Sequence, residues 1–147
     1  MGVKSELKEF VLNFGRSLGE KEAFEGELLK FRLALKARVV RVLSFSPDEA
    51  VKEQLMAQLL EGLEEALKEL EESLGRGEPE QLRRQALFLE GINGTLKDFL
   101  ADDGIGDRHA LSRLAAYLSE LVERINLELR EQKGGLLRRL RGFLFGA

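Results

Sequence analysis

Residues 46–77 read SPDEAVKEQLMAQLLEGLEEALKELEESLGRG, and this stretch decides the fold. Met56, Leu60, Leu63, Leu67, Leu70 and Leu74 recur at alternating spacings of four and three, which places them on one face of an α-helix. Leu55, Leu59 and Ala66 widen that face beyond the narrow seam of a coiled coil, to the breadth that a helix bundle buries. Ser46-Pro47-Asp48-Glu49 predicts the helix start: Ser46 as N-cap, Pro47 in the first helical position, and acids on the positive end of the helix, with Glu49 closing a capping box. Gly75-Arg76-Gly77 predicts the stop, since glycine can take the left-handed conformation of a C-cap.

Working outward, the same periodicity predicts helices on both sides. Val3, Leu7, Phe10, Val11, Phe14 and Leu18 define a short first helix interrupted by Gly15 and Gly19. From about Glu20 the pattern resumes with Phe24, Leu28, Phe31, Leu35, Val39 and Val42, with Lys36, Arg38 and Arg41 lying away from that face, and it ends near Ser44. Pro79 opens a fourth helix carrying Leu82, Ala86, Leu89, Leu96 and Leu100, with Phe88, Ile92 and Phe99 on its flank and Gly91 and Gly94 weakening its middle. After a turn at residues 101–106, Asp107 is placed to cap a fifth helix with Leu111, Leu114, Leu118, Leu121, Ile125 and Leu129. Gly134-Gly135 either ends that helix or makes a soft joint, because Leu136, Leu140 and Phe143 continue roughly in phase. Short connections between such helices require antiparallel neighbours, so the expected fold is an all-α, antiparallel up-down bundle of four to five helices, a single domain over 1–147. How the helical pair in residues 1–45 docks is left open.

Composition removes many chemistries. The chain has no Cys and one His, which excludes a disulfide framework, a zinc or iron–sulfur site built on thiolates, a thiol nucleophile and a cluster of His ligands. A di-iron bundle needs Glu-x-x-His, but Gly106 stands three residues before His109. The acids Asp102, Asp103 and Asp107 lack the spacing of a calcium loop, Gly75-Arg76-Gly77 lacks the lysine of a P-loop, and Ser112 near His109 comes with no oxyanion hole. The expectation is therefore no enzyme, no catalytic residues, no metal and no cofactor. Nothing resembles a secretory signal or a membrane span, so a cytoplasmic protein is expected.

Charge is unevenly spread around a net of −3. Residues 48–80 hold eleven acids and three bases, whereas 130–147 hold five bases and one acid, and 30–41 hold five bases and no acid. Either the acidic helix lies beside basic segments, or different faces meet different partners. Arg32, Lys36, Arg38 and Arg41, with Arg138, Arg139 and Arg141, form the candidate basic patch. Neither basic run is expected to interleave exposed aromatics for base stacking, which counts against nucleic acid. Residues 134–147 form an amphipathic basic tail in which Leu136, Leu137, Leu140, Phe143 and Phe145 are candidate partner-binding residues. It either docks as the end of the last helix or is presented to a partner or an anionic membrane surface.

From the third helix onward a family layout is visible. Leu55-Met56-Ala57-Gln58-Leu59-Leu60-Glu61-Gly62, then Gly77-Glu78-Pro79-Glu80, then Ile92 and Leu96, are followed by Leu114, Tyr117, Leu118, Val122 and Asn126 and by Gly135-Leu136-Leu137 with Leu140-Arg141. Over residues 50–142 this resembles the flagellin export chaperone family. The chain departs from the family at Ala115 and Leu60, where the family has tyrosines, and residues 1–45 lie outside the resemblance. The resemblance implies cytoplasmic binding of a disordered, aggregation-prone export substrate in apolar grooves between helices, with Tyr117 among the partner-binding residues. The alternatives are a self-associating assembly subunit and a binder of membrane surfaces or nucleic acid through the basic segments.

Overall fold

The computed structural model describes residues 2–44, 48–101 and 108–145, with the side chains of the last helix as far as residue 134. Five α-helices, α1 (Val3–Arg16), α2 (Phe24–Ser44), α3 (Glu49–Leu70), α4 (Pro79–Ala101) and α5 (Arg108–Phe145), make an all-α bundle, with no strand among the described residues. Their directions follow from which residues meet. Lys4 reaches Glu65 at 3.0 Å and Lys8 reaches Glu69 at 2.7 Å, so α1 and α3 run parallel. Arg83 meets Glu25 and Asp98 meets Lys36, so α2 and α4 run parallel. Asn93 donates to the Ser119 hydroxyl while Gln132 donates to the Gly77 carbonyl, so α4 and α5 are antiparallel. Phe14 meets Phe31 while Phe10 meets Arg38, so α1 and α2 are antiparallel too, and consecutive helices alternate in direction, the up-down order that short connections demand.

One buried cluster joins all five helices. Leu7 and Val11 of α1, Phe31 and Leu35 of α2, Met56, Leu63 and Leu67 of α3, Phe88, Leu89 and Ile92 of α4, and Leu111, Leu118 and Ile125 of α5 all belong to it. Phe14 stacks on Phe31 at 4.4 Å between centroids, and both approach Phe88, so three rings tie α1, α2 and α4 together. The acidic helix does lie beside bases, but these are mainly Lys4, Lys8 and Arg16 of α1 against Glu61, Glu65 and Glu69 of α3. Hydrogen bonding to Glu69 raises the Lys8 pKa, and the same bond lowers that of Glu69.

Several boundaries differ from those expected. The α3 cap is Asp48, not Ser46: its carboxylate accepts from the Ala50 N–H at 3.0 Å and the helix starts at Glu49, because the acid nearer the helix reaches the second free amide. Ser46 and Pro47, like the Asp107 cap and the turn before it, lie outside the described residues. The first helix ends at Arg16 and Leu18 sits in a 3-10 turn, with the second helix opening at Phe24 rather than near Glu20. That connection is fastened by Arg84, whose Nη1 donates to the carbonyls of Leu18 and Lys21 at 2.7 and 2.8 Å. Likewise α3 gives way after Leu70 to a 3-10 turn, and Gly75 and Gly77 take positive φ, 81° and 115°, as a glycine stop requires. Gln85 closes this turn, accepting from Gly75 N–H and donating to Ser73 and Arg76 carbonyls. Gly134-Gly135 neither ends nor breaks α5, which runs through to Phe145.

Candidate functional site

Among the described residues of the expected basic patch, Arg32 and Lys36 lie towards α4, and Arg38 and Arg41 towards α1. Arg32 lies along α4, where its Cδ would stand 3.0 Å from a Cβ on Gly91 and its Nη2 3.4 Å from one on Gly94, so the two small residues make room for it. Lys36 pairs with Asp98 at 3.7 Å. Arg38 is exposed, as its helix position predicts, yet its guanidinium stacks over the Phe10 ring at 4.3 Å, at the edge of the α1–α2 contact. Arg38 and Arg41 come together at a cleft between α1, α2 and α3, lined also by Val3, Glu6, Leu7, Val42 and Leu59, with a volume of about 330 Å³. Its floor is the core itself, because Leu7 and Leu59 are buried and also wall an apolar void of about 20 Å³ against Leu35, Met56 and Phe99. The cleft thus sets an apolar floor beside two guanidinium groups and one carboxylate.

Tyr117, expected at a partner surface, is half-buried on α5, and its hydroxyl is enclosed with no hydrogen-bond partner among the described residues. Burial, with the Glu71 carboxylate beside it, pushes its pKa up from 10.0 to about 12. A raised tyrosine pKa means that the folded chain keeps a proton the unfolded chain has released, so this contribution to stability is full below pH 10 and lost as pH rises towards about 12. Tyr117→Phe is expected to leave stability at neutral pH unchanged or to raise it by up to ~1 kcal/mol, since the enclosed hydroxyl lacks a partner. Urea unfolding at pH 7 and across pH 9 to 12 checks both points, and the variant is expected to lose less stability than the parent over that alkaline range.

Leu136, Leu137, Leu140, Phe143 and Phe145, with Arg138, Arg139 and Arg141, belong to the continuous α5 helix but fall beyond the residues whose side chains are described. The register does bear on them: Gln132 meets Gly77, just before α4 begins at Pro79, so α5 after Gln132 has no α4 residue left to pair with. His109 and Ser112 are exposed in the first turns of α5. Among the described residues no group of three or more His, Cys, Asp or Glu could hold a metal ion, and no helix is long and apolar enough to cross a membrane.

Periodicity does not reveal the cleft, which joins residues from three helices, although Val3, Leu7 and Val42 each read as apolar-face positions. The fold and this geometry define a helix bundle with an amphipathic surface cleft. No known protein family, curated protein or solved structure matches the chain.

Proposed function

We propose that the chain is a non-enzymatic protein-binding bundle, a cytoplasmic chaperone or adaptor that holds an amphipathic segment of another protein, in the manner the flagellin export chaperone resemblance implies. The observation that carries this reading is the cleft between α1, α2 and α3, where the core side chains Leu7 and Leu59 form a floor reached between Val3 and Val42, rimmed by Arg38 and Arg41. An apolar side chain of a partner segment fits the floor, and an acid one turn away in that segment meets the guanidinium groups, so the favoured partner is an apolar and acidic segment that folds as it binds. In the sequence, the continuation of α5 past Gln132 carries a second run of apolar and basic residues suited to the same kind of partner.

The test is a titration of the full chain with a fluorescein-labelled amphipathic peptide carrying Leu and Phe at helical spacing and flanking Asp and Glu. Saturable binding at modest salt is expected. Val42→Glu and Arg41→Glu are each expected to weaken it about tenfold, the scale of one lost contact of this type, at unchanged helicity. No saturable binding, or binding indifferent to both substitutions, rejects the cleft as the site.

A further inference from the structure

Beyond the cleft, α2 carries a second apolar face. Gly26, Leu29, Leu33, Ala37 and Val40 recur at three and four residues on the side opposite Phe24, Phe31, Leu35 and Val39, the side chains α2 gives to the core. Leu29 is 56%, Leu33 63% and Val40 44% exposed, whereas Val51 and Leu127, the other exposed large apolar residues among the described residues, stand apart on other helices. A lone exposed leucine is ordinary; an aligned stripe on an otherwise amphipathic helix marks an interface.

The charges beside the stripe say what covers it. Glu20, Glu22, Glu25 and Glu27 cluster at the start of α2, while Lys30, Arg32, Lys36, Arg38 and Arg41 follow with no acid among residues 30–41. Two copies of α2 laid parallel would set acid on acid and base on base. Laid antiparallel, each acidic end meets the other's basic end. Glu25 and Lys36 are eleven residues, three turns, apart, so both flank the stripe on one side. A two-fold axis crossing α2 between them sets Glu25 of each copy against Lys36 of the other, and the same axis interleaves Leu29 and Leu33 with the second copy's Leu33 and Leu29. Both charged groups already have weak surface partners, Arg83 at 3.6 Å and Asp98 at 3.7 Å, that leave them largely in solvent and able to be shared. We infer that the outer face of α2 is the interface of an antiparallel homodimer of this chain.

Light-scattering mass of the full chain across a concentration series tests this, with circular dichroism to show that each surface variant keeps its helicity. A monomer–dimer transition is expected, abolished by Leu33→Glu. Glu25→Lys and Lys36→Glu are each expected to weaken dimerisation about tenfold, because every copy then faces a like charge. Mixed one to one, the two variants regain it: in the heterodimer the two substituted positions face each other with opposite charges, and the unchanged Glu25 of one copy faces the unchanged Lys36 of the other. A chain that stays monomeric throughout overturns the inference, as does a dimer indifferent to Leu33→Glu or a mixture that fails to regain mass. A monomer whose α2 face instead binds anionic phospholipid vesicles, with loss on Leu33→Glu, also overturns it. Because the peptide titration reads Val42 and Arg41 and the mass series reads Leu33, Glu25 and Lys36, either result can fail alone.

Discussion

Phe31→Ala is expected to cost about 4 kcal/mol of unfolding free energy. Phe31 is buried, and its ring is shared three ways: 4.4 Å from Phe14, 5.2 Å from Phe10 and 5.5 Å from Phe88. Truncation removes the transfer free energy of the ring, leaves a cavity between three helices, and ends aromatic contacts worth about 1 kcal/mol beyond their area. The neighbours cannot easily fill the gap, because Phe14 is held on Phe88 and Phe10 is held under Arg38. Phe31→Leu refills part of the volume and is expected to cost roughly 1 to 2 kcal/mol. Urea denaturation followed by helicity measures both. A loss below about 1 kcal/mol for the alanine variant would show that α2 does not depend on this cluster.

What periodicity can and cannot show is clearest in α2. Phe24, Phe31, Leu35 and Val39 are legible as its core face, because burial of one face leaves a spacing of three and four. The stripe of Leu29, Leu33 and Val40 obeys the same spacing half a turn away, and attention to the stronger face hides it. Arg38 reads as facing solvent, yet a guanidinium on a phenyl ring satisfies both groups at the edge of a core, and hydropathy has no symbol for that contact. Pro79 marks the start of α4 clearly because its ring suits the first helical turn and little else in a helix, whereas Gly134-Gly135 leaves the end of α5 ambiguous. Each helical glycine costs only ~1 kcal/mol, which neighbours can offset. The cleft is not legible at all: it exists only because α1, α2 and α3 bring Leu7, Arg38 and Leu59 to one place.

Gly62→Ala shows the same limit from the other side, and its expected cost is about 2 kcal/mol. In the sequence Gly62 is one small residue in a leucine-rich helix, and intrinsic propensity predicts that alanine there stabilises by ~1 kcal/mol. In the fold the sign reverses. A Cβ at Gly62 would run into the Lys4 carbonyl oxygen, with the Lys4 carbonyl carbon at 3.2 Å and Cα at 3.3 Å, so the obstacle is the α1 backbone and not a side-chain tip. To admit one methyl group α1 must retreat along its contact with α3, loosening Leu7 and Val11 in the core and the pairs Lys4–Glu65 and Lys8–Glu69. Gly15→Ala is the control: its Cβ meets Leu70 Cδ1 at 2.6 Å, but that atom ends a flexible side chain, and the loss is expected to stay near ~1 kcal/mol. Thermal unfolding of the two variants beside the parent gives the comparison, and a Gly62→Ala protein as stable as the parent would mean that α1 and α3 are not so closely seated. Because Leu7 forms the cleft floor beside Leu59, the retreat of α1 is also expected, on the proposed function, to weaken binding of the labelled peptide more in Gly62→Ala than in Gly15→Ala, linking one missing methyl group in α3 to the shape of the cleft.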